Sequence, residues 1–197
     1  MNLKTHLQSI IDSADSESLN MSLDNVHAKG IFSLVISGTE HGKLTRIFVA
    51  HKKLKPYKVQ LHTHRYPLRL TIIKGDIIHH IAKLNDDGSV ILPLNSYKSP
   101  LNGGKGISSM GFAICDIVDQ YLPAGSVINL TEDDFHTMSC SKGSIWIVEE
   151  MGFRHDESYV IGVPFETPNN YTKPGQYQIN NNITVAFDAI KKLINKL

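Results

Sequence analysis

From Gly30 onward the chain consists of short runs rich in Val, Ile, Phe and Thr, separated by turn residues. The run Ile31–Ser37 ends in a Gly-containing turn, and Asn85–Gly88 is a strong hairpin signal between two further runs. Many short strands at near-regular spacing are typical of an all-β sandwich or barrel. The pattern therefore predicts an all-β domain over residues 30–163. Residues 95–106, rich in Ser, Asn and Gly, predict a flexible loop or lid between two of its strands.

Two terminal segments depart from this pattern. The segment 164–197 begins with a stretch rich in Pro and Asn, which predicts an extended arm, and ends with an amphipathic helix over residues 183–197. The segment 1–29 predicts a second helix. We expect both helices to pack outside the β-domain. The apolar residues at helical spacing in the N-terminal segment are Leu3, Leu7, Ile10 and Ile11.

Size, charge and cysteine content narrow the class of protein. The chain has 197 residues, enough for one domain with a sizeable core, and a formal net charge of +1. This balance gives no general attraction to nucleic acid or membrane, and no apolar stretch approaches the roughly 20 residues of a membrane span. Cys115 and Cys140 are too few for a disulfide framework. We therefore expect a cytoplasmic protein with free thiols that binds neither nucleic acid nor membrane.

Three histidines carry the strongest chemical signal. His62 and His64, at i and i+2, share one face of a predicted strand because strand side chains alternate with a period of two. His136 follows Phe135 in a later predicted strand. Neutral imidazole is the commonest protein ligand for metals near neutral pH. An inward-facing pair of His62 and His64, together with His136 on a neighbouring strand, could therefore hold a divalent metal and leave positions open for a substrate.

These residues resemble the two sequence motifs of the cupin superfamily. The first motif, His-x-His followed by an apolar run and a Gly, resembles residues 61–75. The second motif, an apolar strand and a turn before a third His, resembles residues 121–137. The matched stretch is 57–150, about half of the chain. The resemblance implies a cupin-like jelly-roll barrel, and it implies the same three metal ligands.

One position departs from the family pattern. Cupins place a Glu a few residues after the His-x-His pair, where this chain has Leu68 or Arg69. Neither side chain binds a cation, since a guanidinium stays protonated and has no lone pair to offer. Thiol dioxygenases, which are relatives of the cupins, bind iron(II) with three His and no Glu. Their Ser-x-His-x-Tyr element does not follow His136 here, so we assign no thiol chemistry.

Two further residues are candidates for binding a substrate. If Arg69 faces inward beside a metal ion, an anion must lie between the two cations. The ligand is then an anionic molecule such as a carboxylate, a phosphate or a sugar nucleotide. His79 and His80 are neighbours on a predicted strand, so one of them should face inward. We take Arg69 and His80 as the expected substrate-binding residues.

The residues leave three functions open. The first is a metal-dependent enzyme, an oxygenase or an isomerase, with Fe(II), Mn, Ni or Zn at the three-His site. The second is a metal-independent cupin similar to sugar-nucleotide epimerases, with His62 or His64 as the base and Arg69 on the phosphates. The third is a non-enzymatic protein that binds or sequesters a small molecule. The long arm after Gly162 can reach over a partner subunit, so we also expect a homodimer.

Overall fold

The computed structural model describes residues 30–38, 40, 42–57, 59–98, 104–152 and 155–162, with seven further positions between residues 5 and 28. Most of the predicted N-terminal helix lies outside the described residues, as do the whole of the predicted arm and the C-terminal helix. Their packing and the homodimer therefore stay predictions. No helix among the described residues is long and apolar enough to cross a membrane.

The described part of the chain folds into β-structure wherever the apolar runs predict a strand. Eleven strands occur among the described residues. Their bounds are β1 (Ile31–Ser37), β2 (Thr45–Ala50), β3 (Leu61–His62), β4 (Leu68–Lys74), β5 (Ile77–Leu84), β6 (Val90–Lys98), β7 (Gly106–Leu122), β8 (Val127–Leu130), β9 (Phe135–Cys140), β10 (Ile145–Glu150) and β11 (Ser158–Ile161).

The strands form two sheets in which every pairing is antiparallel. One sheet has five strands in the order β1-β2-β10-β4-β8. The other is a closed barrel in the order β11-β3-β9-β5-β7-β6. This architecture confirms the predicted all-β class and is consistent with a barrel of the jelly-roll type.

Two hydrophobic clusters show where the sheets meet. The first combines residues of both sheets, among them Leu70 and Trp146 from the five-stranded sheet and Ile77 from the barrel. The second draws on all six barrel strands and includes Leu61 and Phe135. The second cluster therefore fills the barrel, and the first is the core between the barrel and the five-stranded sheet.

The predicted loop over residues 95–106 is wrong in part. β6 continues to Lys98 and β7 begins at Gly106, and the two strands pair from Val90 opposite Cys115 to Lys98 opposite Gly106. The Ser and Asn residues here have only a weak local preference for turns. The partner strand in this long hairpin overrides that preference by offering ladder hydrogen bonds.

Candidate metal centre

The three histidines predicted to hold a metal lie together. β3 carries His62, His64 follows two residues later, and β9 carries His136, which lies directly opposite His62. One ring nitrogen of each histidine lies within 4.8 Å of those of the other two. The ring centroids are 4.9 Å apart for His62 and His64, 5.0 Å for His64 and His136, and 5.4 Å for His62 and His136. The fold thus joins imidazoles from two distant parts of the sequence.

The cluster lies between the barrel and the five-stranded sheet. Leu61 and Phe135, which precede His62 and His136, belong to the core inside the barrel. Consecutive strand side chains point to opposite faces, so His62 and His136 point out of the barrel and toward the five-stranded sheet. The site therefore occupies the core of the two-sheet sandwich rather than the interior of the closed barrel.

Hydrogen bonds on the far side of two rings decide which nitrogen faces the cluster. Nδ1 of His62 lies 2.8 Å from the carbonyl oxygen of Gln60. That nitrogen must therefore carry the proton, and Nε2 carries the lone pair. Nδ1 of His136 lies 2.9 Å from Nε2 of His79. On the inner side, Nε2 of His64 and Nε2 of His136 lie 2.8 Å apart in a hydrogen bond, so one of the two nitrogens carries a proton in the metal-free chain. A metal ion bound to both nitrogens would displace that proton.

Burial favours the neutral form of His62 and of His79, the histidine behind His136. Loss of hydration lowers the pKa of His62, and the bond to the Gln60 carbonyl offsets part of that effect. Burial, and to a smaller extent the charge of neighbouring His80, lowers the pKa of His79 to about 4. A neutral His79 can accept the Nδ1–H of His136. His136 then presents its Nε2 lone pair to the cluster, which is the form that binds a metal.

A small cavity adjoins the three rings. Its volume is about 80 Å³, and apolar side chains from both sheets form most of its wall. Phe48 and Trp146 form a flat part of this wall, with stacked rings 5.3 Å apart at 8°. Within the described chain, no Asp, Glu, Lys or Arg lines the cavity. The lining residues are Ile31, Phe48, Leu54, Val59, His62, His64, Leu68, Leu70, His136, Thr137, Met138, Trp146 and Val148.

Arg69 does not reach this cavity. It lies on β4 between the buried Leu68 and Leu70, so alternation turns its side chain to the opposite, outer face of the sheet. The side chain is 50% exposed, and its Nε lies 3.7 Å from Oε2 of Glu149. The expected inward orientation of Arg69 is therefore wrong. Arg69 therefore does not hold an anion against a metal in this cavity.

His80 also lies away from the three rings. One of the two neighbouring histidines faces the cluster, as alternation along β5 requires, but it is His79 rather than His80. His80 is buried on the opposite face. Its Nδ1 lies 2.6 Å from Oδ1 of Asp119, and its Nε2 lies 3.0 Å from Oγ of Ser139. The structure therefore places His80 in a separate hydrogen-bonded position.

A buried ion pair that the sequence did not reveal connects to His64 through Tyr66. Nε of Arg46 lies 3.2 Å from Oε1 of Glu150, with the two side chains 11% and 2% exposed. The Tyr66 hydroxyl donates to the same oxygen at 3.0 Å, and its ring stacks 6.3 Å from that of His64. Arg46 lies opposite the cavity residue Val148, on the inner face of the sheet. Alternation along β2 and β10 could have indicated that Arg46 and Glu150 face inward, but the contact between them depends on the order of the strands.

The three imidazoles suit a transition-metal ion. Rings that share one ion through bonds of about 2.0–2.1 Å have centroids roughly 5 Å apart. The observed spacings of 4.9–5.4 Å agree with that value. Buried partners on Nδ1, such as those of His62 and His136, are typical of metal-binding histidines. Mg²⁺ and Ca²⁺ prefer oxygen ligands, which this cluster does not supply.

Comparisons with known proteins add little to this geometry. No family model matches the chain. No curated protein matches it either. The fold is nevertheless consistent with a cupin, and the three-His cluster is present, as the sequence resemblance implies.

Solved structures show only a distant likeness. Streptomyces Pac13, described as a nucleoside dehydratase, is 8% identical with a TM-score of 0.41, over 80% of this chain and 92% of that chain. Hydroxypropylphosphonic acid epoxidase from S. wedmorenis is 12% identical with a TM-score of 0.38, over 65% of this chain and 53% of that chain. Hydroquinone 1,2-dioxygenase PnpCD is 15% identical with a TM-score of 0.34, over 66% and 64%. A likeness at this level assigns no substrate or reaction.

Proposed function

We propose that this chain is a cupin-type metalloprotein that holds one divalent transition-metal ion on His62, His64 and His136. The convergence of three ring nitrogens within 4.8 Å carries this proposal. The Gln60 carbonyl and His79 support two of the rings from behind. An all-imidazole donor set favours zinc, iron(II) or nickel over manganese, which prefers oxygen ligands.

The adjoining cavity supports a small molecule as the partner of this ion. A centre with three protein ligands keeps coordination positions open for a substrate. A bound ion would supply Lewis-acid chemistry to a donor group of that molecule. The apolar wall that includes Phe48 and Trp146 would orient the molecule and exclude water. The reaction class that we propose is that of an oxygenase or an isomerase.

A metal-independent sugar-nucleotide epimerase has less support. Such an enzyme needs cationic side chains for the phosphates, and the described residues that line the cavity include none. A non-enzymatic binding protein would use the same ion and the same cavity. Tight retention of a ligand without its conversion would favour that second candidate over an enzyme.

Metal analysis of protein purified without a polyhistidine tag tests the proposal. The parent protein, reconstituted with Zn²⁺ or Fe²⁺ and then desalted, should retain one ion per chain. The double variant His62→Ala/His64→Ala should retain less than about a tenth of that amount. His155→Ala is the matched control, because its side chain is 55% exposed and lies outside the cluster. A parent protein that retains no ion would refute the metal centre.

A further inference from the structure

The cavity wall and the charge of the proposed ion together restrict the ligand. We infer, on the basis of the proposed metal centre, that its ligand is a small monoanion. Such a ligand has one anionic donor group attached to a compact apolar body. The donor group meets the ion at the histidines, and the body packs against the apolar wall.

The charge of the site calls for an anionic donor. Three neutral imidazoles leave the full charge of a divalent ion uncompensated, and an unpaired charge in an apolar site is costly. Within the described chain, no carboxylate lines the cavity. The buried carboxylate of Glu150 already accepts hydrogen bonds from Arg46, from Tyr66 and from the Gly42 backbone. An anionic donor on the ligand would therefore compensate part of the charge of the ion.

The wall disfavours a second charged group on the ligand. Beyond the histidines, two side chains of the described lining carry a polar atom, and both are neutral: the Thr137 hydroxyl, which donates to the Val59 carbonyl at 2.8 Å, and the indole N–H of Trp146. No lysine or arginine of the described chain lines the cavity, and Arg69 lies on the outer face of its sheet. A second carboxylate on the body of the ligand, held away from the ion, would therefore be buried without a partner.

The volume of the cavity sets how much of the apolar body is enclosed. A protein cavity of about 150 Å³ is known to hold benzene, which has six carbon atoms. The cavity beside the histidines measures about 80 Å³. By proportion the enclosed part of the cavity holds about three carbon atoms in contact with residues such as Trp146 and Val148.

Titration of the cobalt-loaded full chain with simple carboxylates tests this inference. Acetate, propionate and butyrate share one head group and differ by single methylenes. Succinate has the same number of carbon atoms as butyrate but carries a second carboxylate. The visible absorption of Co²⁺ reports binding. We expect the Kd to fall about fourfold per methylene from acetate to butyrate. We expect succinate to bind at least tenfold more weakly than butyrate.

Val148→Thr supplies the matched variant, because it keeps the side-chain shape and adds a hydroxyl to the cavity wall. In this variant, each added methylene should lower the Kd by less than about twofold. The control His155→Ala should give the same Kd values as the parent chain. Equal Kd values along the series, or tighter binding of succinate than of butyrate, would overturn the inference and leave the metal centre intact. A parent chain that takes up no cobalt would overturn the metal centre, and the inference with it.

Discussion

Nε2 of His79 lies 2.9 Å from Nδ1 of His136, behind the ring whose Nε2 faces the other two histidines. His79 is 1% exposed, and within the described chain its Nδ1 has no hydrogen-bond partner. The contact with His136 is therefore the one hydrogen bond that the structure gives to this buried ring. For His136 to offer Nε2 to a metal, its Nδ1 must carry the proton and His79 must accept it.

His79→Leu should weaken metal binding by about 10–100-fold, because His136 loses the acceptor that fixes its tautomer and orientation. His79→Gln should recover part of the affinity, since an amide oxygen can accept the same proton. Competition with a chelator measures both values. A thermal melt of the metal-free variants separates this effect from loss of folding. A folded His79→Leu variant with parental affinity would contradict this role.

Metal-free protein should lose stability between pH 6.5 and about 4. The pKa of His79 is lowered from 6.5 to about 4 in the folded chain, so the unfolded chain takes up this proton first as the pH falls. The stability present above pH 6.5 is therefore lost on acidification, by up to about 3 kcal/mol for this group. Urea unfolding across this range measures the slope. The free energy of unfolding of His79→Leu should change less with pH than that of His155→Ala, and equal slopes would count against the prediction.

The buried and the exposed ion pairs should respond differently to loss of the arginine. Arg46→Met leaves the buried Glu150 carboxylate without its cationic partner and should lower the free energy of unfolding by about 3–5 kcal/mol. Arg69→Met breaks a pair whose side chains are 50% and 43% exposed, and should cost less than about 1 kcal/mol. Urea denaturation compares the two variants directly. Similar losses would contradict the assignment of Arg69 to the outer face.

Two glycines with similar backbone angles should differ in their tolerance of alanine. Gly75 has a φ of +91° and Gly143 a φ of +89°. An alanine held in this left-handed conformation lowers the free energy of unfolding by about 1–2 kcal/mol at either position. A Cβ at Gly75 would also lie 2.8 Å from Cα of Ser144, whereas nothing lies within 4 Å of a Cβ at Gly143. Gly75→Ala should therefore cost at least about 2 kcal/mol more than Gly143→Ala in chemical denaturation. Equal costs would refute the close contact with Ser144.

Local sequence patterns could predict the strands and the placement of His62 and His64 on the same side of the chain, because both depend on a period of two. The same period could have placed Arg69 outward, since it lies between two leucines that both face the core. The choice between His79 and His80 had no such signal, because β5 has apolar residues on both of its faces. That choice depends on the register of β5 against β9, which brings distant segments together.

Alternation along β2 and β10 can place Arg46 and Glu150 on the inner face of the sheet, but no local pattern predicts that the two side chains meet. The two residues are 104 positions apart in sequence and lie on neighbouring strands of the five-stranded sheet. A charged residue at the end of a strand is ordinarily solvated. The interaction becomes recognisable only when the order of the strands is known.

X-ray absorption at the zinc edge of the Zn²⁺-loaded chain tests the central claim most directly. We expect a first coordination shell that contains three imidazole nitrogens, and a loss of imidazole scattering in the double variant His62→Ala/His64→Ala. A first shell with sulfur, or with one imidazole or none, would contradict a metal centre built on His62, His64 and His136.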